Sequence, residues 1–131
     1  MSKPKQIVQV TTLDEKVGQA EAVFDSGSMF TILRQDKVPD GAKVIWMSKP
    51  KEFNTAAVGG KLQTTGAIEL VITIGDKMVE DSALVSPALA QEMIIGAGTM
   101  QKWDITIQNR NGQTSIVVGR DMRDPDMIEI D

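Results

Sequence analysis

Apolar and polar residues alternate most clearly across residues 67–74. Ile68, Leu70, Ile72 and Ile74 fall on one face, and Ala67, Glu69, Val71 and Thr73 on the other. A wholly aliphatic face predicts a strand buried on one side. Shorter apolar runs predict further strands: Ile7, Val8 and Val10 with Thr11 and Thr12; residues 19–24; 29–33; 44–47; Met78-Val79 with 81–85; Ile94-Ile95-Gly96; 105–107; and 115–118. Turn signals separate them. Leu13-Asp14-Glu15-Lys16 interrupts the first pair, Pro39-Asp40-Gly41 and Lys49-Pro50 bracket the run at 44–47, and Gly75-Asp76-Lys77 follows the alternating strand. Gly59-Gly60, between Ala56-Ala57-Val58 and Lys61-Leu62-Gln63, reads as a hairpin tip. Asn111-Gly112 is the strongest hairpin signal in the chain. Residues 97–103 predict two turns of helix. About eight or nine short strands and one short helix predict an all-β, closed or barrel-like single domain over residues 1–131. Its acidic C-terminal tail, 119–131, is broken by Pro125.

Composition narrows the chemistry. With 131 residues the chain suits one domain, large enough to bury roughly two-thirds of its unfolded surface. The 14 basic and 18 acidic residues are well mixed, which disfavours nucleic acid as a partner. No apolar run approaches the ~20 residues of a membrane span, and the N-terminus lacks a signal-peptide core. With the absence of cysteine, this leads to the expectation of a cytoplasmic location. Cysteine, histidine and tyrosine are all missing. Thiolate nucleophiles, Ser-His-Asp triads and imidazole-dependent zinc sites are therefore excluded. Acid–base chemistry near neutral pH falls to carboxylates or lysine.

The chemistry-bearing stretch is Ala22-Val23-Phe24-Asp25-Ser26-Gly27-Ser28. A strand that ends in Asp-Ser-Gly places a carboxylate where the strand opens into a tight loop. Gly27 can take backbone angles closed to other residues, and its missing side chain permits close approach of a second chain or a substrate. The same tripeptide is also ordinary turn chemistry.

The motif resembles the apolar-apolar-Asp-Thr/Ser-Gly-Ala/Ser signature of the aspartic proteases. The order that follows, a glycine hairpin at Gly59-Gly60, an aliphatic strand, then Ile94-Ile95-Gly96 leading into a short helix, resembles the retropepsins. These are the single-domain aspartic proteases of retroviruses and their cellular and bacterial relatives. The resemblance covers residues 5–107. It implies a retropepsin-like closed barrel acting as a two-fold homodimer on a polypeptide substrate, with no cofactor and no metal. Asp25 is the implied catalytic residue. Ser26 would bond across the dimer axis, Gly27 would offer its backbone to substrate, and Ser28 would bond the outer oxygen of Asp25. Val58, Gly59, Gly60 and Lys61 would form the flap over the peptide, its outer arm starting as early as Phe53-Asn54-Thr55. Ile94, Ile95 and Gly96 would support the catalytic loop.

Physical logic agrees with the resemblance. Metal-free peptide hydrolysis without a thiolate or imidazole needs one carboxylate to activate water and a second, protonated, to polarise the carbonyl. The chain holds one Asp-Ser-Gly; Asp81-Ser82-Ala83 lacks the glycine and reads as structural. The second carboxylate is therefore expected from another copy of the chain. Trp46 and Trp103 are expected in the core or an interface, with Trp46 alternatively lining a subsite, and the methionines as core filler. Asp121, Asp124, Asp126, Glu129 and Asp131 lack the spacing of a calcium loop and predict a solvated tail. Two other readings stay open: a retropepsin-like module that dimerises or grips peptide without turnover, and a monomeric barrel in which Asp-Ser-Gly is merely a turn.

Overall fold

The computed structural model describes residues 3–55 and 59–125. Nine strands alternate with tight turns: β1 (Lys5–Thr12), β2 (Val17–Asp25), β3 (Ile32–Arg34), β4 (Ile45–Asn54), β5 (Lys61–Ile74), β6 (Lys77–Ser86), β7 (Met93–Gly96), β8 (Ile105–Arg110) and β9 (Gln113–Val118). One helix, α1 (Ala97–Lys102), follows β7. The fold is all-β, as the alternation and turn signals predict.

The long strand β5 organises the barrel. Ile68, Leu70, Ile72 and Ile74 are all buried, the face predicted from the period-two pattern. Its first half pairs with β4 and its second half with β1, while β6 runs along its other edge. The strand order β1-β2-β7-β3-β6-β5 closes when β5 pairs back on β1, and β4 lies outside this ring. Closure leaves β4 as the edge. Val8, Val10, Phe24, Leu33, Val79, Val85, Met93 and Ile95 fill the interior with the β5 residues. Burying each large aliphatic side chain contributes about 1.5–3 kcal/mol.

The turns follow their sequences. Ile74 and Lys77 are paired, and in the two-residue loop between them Gly75 has φ +62°, the pattern of a type II′ turn. Between Arg110 and Gln113, Asn111 and Gly112 both have positive φ, +52° and +75°, so β8 and β9 join through a type I′ turn. This hairpin is a separate two-stranded sheet, held to the main core through Ile105, Val118 and the half-buried Ile116.

Four expectations are corrected. The strand at 44–47 does not stop at Lys49-Pro50: β4 runs through to Asn54, with a register shift between Trp46 and Lys51. An edge strand at an irregularity tolerates the missing N–H of Pro50. The run at 29–33 is a strand only from Ile32, because Met29 and Phe30 are exposed in the loop before it. Trp46 is 55% exposed, which excludes the core among the places expected for it and leaves an interface or a subsite. Trp103 does pack on the core, its Nε1–H donating to the Glu80 carbonyl at 3.1 Å. Met93 and Met100 are buried, but Met29 is not.

The tail also departs from a uniformly solvated segment. Asp121 is 6% exposed; it accepts bonds from the Met78 amide at 3.1 Å and from the Arg123 side chain at 2.6 Å. The Arg123 guanidinium, then the Arg123 and Met78 amides, hold its carboxyl far below the usual range despite burial. The Met122 N–H donates to the Met78 carbonyl at 2.7 Å, so residues 121–122 fasten the chain to the start of β6. Asp126, Glu129 and Asp131 lie outside the described residues.

Candidate active site

Asp25 is the last residue of β2, which pairs in parallel with β7 through Phe24–Ile95 and Asp25–Gly96. On its other edge β7 pairs antiparallel with β3 through Ile94–Ile32. Thus β7 lies between the strands that enter and leave the loop 26–31 and braces both ends of it. Ile95 is fully buried, while Ile94 borders the cleft.

Gly96 is fixed by contact. A Cβ there would lie 2.4 Å from the Phe30 carbonyl oxygen and 2.7 Å from that of Ser28, so only glycine lets β7 approach the loop. The approach is held by backbone bonds from Ala97 N–H to the Ser28 carbonyl at 2.6 Å and Gly98 N–H to the Met29 carbonyl at 3.1 Å. The Gly96 amide donates to Thr31 Oγ1 at 3.1 Å, and that hydroxyl meets Thr99 Oγ1 at 2.7 Å in a buried pair.

The Asp25 carboxylate is set by two donors. Gly27 N–H reaches Oδ1 at 2.9 Å, and Lys3 Nζ reaches Oδ2 at 2.8 Å. The side chain is 18% exposed. Lys3 lowers the carboxyl below its ordinary value; burial opposes this and the Gly27 amide adds to it. Lys3 is brought there by the arm preceding β1, where the Phe24 amide donates to the Pro4 carbonyl at 3.0 Å. Gly27 does not take a left-handed conformation; its role is proximity, since a Cβ would sit 3.1 Å from Asp25 Oδ1.

The other loop residues divide. Ser26 faces solvent beside Ala97 and Gln101. Ser28 Oγ donates to the Phe30 carbonyl at 2.8 Å, so the bond to Asp25 expected of it is not made within this chain. Above Asp25 the β4–β5 hairpin carries the glycine tip. Its last strand pair is Asn54–Lys61, extended by the Thr55 N–H bond to the Gly60 carbonyl at 3.0 Å. Gly59 has φ +70°, a value suited to glycine. The outer arm therefore includes Phe53, Asn54 and Thr55, the early start considered from sequence, and its regular pairing begins two residues sooner at Lys51. Val58 lies outside the described residues. Lys61 is exposed and pairs with Glu52 at 3.1 Å.

Between loop and hairpin lies a cavity of about 370 Å³ with Asp25 and Gly27 on its floor. Phe30, Ile32, Phe53 and Leu62 supply apolar walls. Sequence reasoning missed Lys3, Phe30 and Leu62, and it named Phe53 as a start of the flap but not as a cleft wall. Phe53 and Leu62 face each other across the hairpin just outside the glycine tip, and that symmetry was a usable signal. Nothing in the spacing links Lys3 to Asp25. Among the described residues no group of three or more acidic side chains is placed to hold a metal ion, and no helix is long and apolar enough to cross a membrane. What the site offers chemically is one ionisable carboxylate, fixed at the floor of an apolar cleft and covered by a hairpin.

Comparison with known proteins follows the same outline. No curated protein matches the chain. Among solved structures it is similar to EIAV protease complexed with the inhibitor HBY-793, with TM-score 0.50 and 16% identity over 77% of this chain and 88% of that one. It is also similar to the retroviral protease-like domain of Ddi1 from Leishmania major, with TM-score 0.56 and 14% identity over 93% and 99%. At such identities the likeness is one of fold: a closed barrel with one short helix. The sequence itself carries the assignment further, because residues 2–108 match the model of the retroviral aspartyl protease family, and the chain therefore belongs to that family.

Proposed function

We propose that residues 1–131 form one domain that acts as a homodimeric aspartic endopeptidase, with a catalytic dyad of Asp25 from each of two subunits. The observation that carries this reading is the Asp25 carboxylate, fixed by the Gly27 amide on the floor of an apolar cleft beneath a glycine-tipped hairpin. Two carboxylates about 3 Å apart cannot both ionise comfortably, so the pair holds one proton. The ionised Asp25 takes a proton from water as the water attacks the scissile carbonyl, and the protonated Asp25 donates to the carbonyl oxygen. A proton then passes to the leaving nitrogen as the C–N bond breaks. The pKa values belong to the pair.

The neighbouring residues take supporting roles. Ser26, exposed beyond Asp25, is free to bond across the axis; Gly27 and the hairpin of Val58, Gly59, Gly60 and Lys61 bind an extended peptide through backbone groups. Ile94, Ile95 and Gly96 hold the loop. Asp25→Asn should leave a folded dimer with a cleavage rate lowered by at least about 10²-fold. Undiminished cleavage of a peptide library at pH 4–7 by that variant contradicts the reading.

A non-catalytic module is the second reading, favoured by one observation: Lys3 occupies Oδ2 of Asp25. A dyad needs that oxygen free to share a proton. If Lys3 stays bound in the dimer, wild-type protein should bind peptides and cut none, and Lys3→Met, which frees Oδ2, should gain cutting. Turnover by the wild-type dimer eliminates this reading.

A further inference from the structure

The dyad chemistry leaves unused one charge that stands against the aromatic wall of the cleft. Lys51 lies on β4 two residues before Phe53, and alternation along a strand puts both on the same side. Its Nζ stands 5.0 Å from the Phe53 ring centroid and 5.7 Å from that of Phe30. The two rings pack against each other at 5.4 Å with a 55° tilt. Both line the cavity that holds Asp25.

Lys51 has no carboxylate partner within 4 Å among the described residues, whereas Lys61 on the same hairpin is neutralised by Glu52. Asp25 is the one carboxylate among the described residues lining the cavity, and Lys3 already meets it. An ammonium over an aromatic face keeps a preferred position while its three N–H donors remain available. The arrangement is a pre-positioned cation at the edge of an apolar site.

An extended peptide repeats its side-chain direction every two residues, the same period that separates Phe53 from Lys51. We propose that Lys51 is a specificity-determining residue that selects an acidic side chain two positions from the apolar residue seated against Phe30 and Phe53. This rests on the peptidase reading above. In a two-fold dimer each half of the cleft carries its own Lys51, so the preference applies on both sides of the cut.

The test uses two peptides identical except for Glu or Lys at that position, placed from the cut site found by library digestion. Wild-type protein should favour the Glu peptide in kcat/KM by about five-fold at low salt, falling toward parity at 1 M salt. Lys51→Met should abolish the preference, and Lys51→Glu should reverse it by a similar factor. Equal cleavage of both peptides by all three proteins overturns the inference and leaves the peptidase reading intact. If library digestion by wild-type protein yields no cut site, the peptidase reading falls, and fluorescence anisotropy with extended peptides carrying Glu or Lys two positions from a central Phe decides the role of Lys51. A Glu-over-Lys binding preference lost in Lys51→Met supports it, and equal binding overturns it.

Discussion

Adding one methyl group at Gly96 should disable the site from behind. The new Cβ would meet the Phe30 carbonyl oxygen at 2.4 Å, the Phe30 carbonyl carbon at 2.6 Å and the Ser28 carbonyl oxygen at 2.7 Å. All three are backbone atoms, so no rotamer change relieves the clash. Restoring even a tight contact of about 3 Å means moving the loop or β7 by roughly 0.6 Å, which costs about 1–3 kcal/mol as overpacking. The movement stretches the Ala97–Ser28 and Gly98–Met29 bonds, each contributing about 0.5–1.5 kcal/mol. Gly96→Ala should therefore lose about 2–4 kcal/mol and melt roughly 5–15 °C lower by differential scanning calorimetry. Because the displaced loop carries Asp25, cleavage by the fraction still folded should fall by up to about 10²-fold. Gly59→Ala is the control. Its Cβ meets nothing within 4 Å, so the cost is the ~1–2 kcal/mol of a left-handed backbone at an exposed tip. A Gly96→Ala protein with wild-type melting temperature and activity would refute the packing account.

Three further outcomes follow from named contacts. Lys3→Met should raise the Asp25 carboxyl pKa of the dilute single chain, read by carbon-13 NMR titration, because the principal group lowering it is gone; an unchanged value means the ion pair is not made in solution. Asp121 has a depressed folded pKa, so its contribution is full above the unfolded value of about 4 and is lost as pH falls toward the folded one. Asp121→Asn should therefore be less stable than wild type at pH 7, with the gap narrowing in acid denaturation below pH ~4; a gap independent of pH contradicts the assignment. Leu70→Ala, at a fully buried position of β5, should cost about 2–5 kcal/mol in urea denaturation, and a loss under about 1 kcal/mol would contradict the barrel packing.

Features set by neighbours in the chain were legible in the sequence; features set by distant contacts were not. The aliphatic face of residues 67–74 and the Asn111-Gly112 turn follow from local backbone preferences, and both stand where the pattern places them. The Asp25–Gly96 pairing is a distant contact, and it was legible only through the resemblance of Asp-Ser-Gly and the later Ile-Ile-Gly to the retropepsin order. The strand through Pro50 was hidden because Lys49-Pro50-Lys51-Glu52 has no alternation. Its pairing comes from β5 across the hairpin. Met29 and Phe30 read as part of a strand since hydrophobicity alone does not separate a core wall from a cleft wall. Phe30 is in fact 44% exposed. Asp121 looked like one more acid of a solvated tail, and its burial depends on the Met78 amide, far away in sequence. Lys3 is the extreme case: its partner is fixed by the path of the arm beside β2, which no local signal encodes.

The central claim is that two subunits each supply one half of the reacting centre, and subunit mixing tests it most directly. Wild-type protein is equilibrated with increasing Asp25→Asn protein at constant total concentration, and peptide cleavage is measured at each ratio. If both Asp25 residues of a dimer are needed, activity falls as the square of the wild-type fraction, to about a quarter at equal mixing. A linear fall to about one half at equal mixing would mean that each chain works with its own Asp25 alone, contrary to the shared dyad.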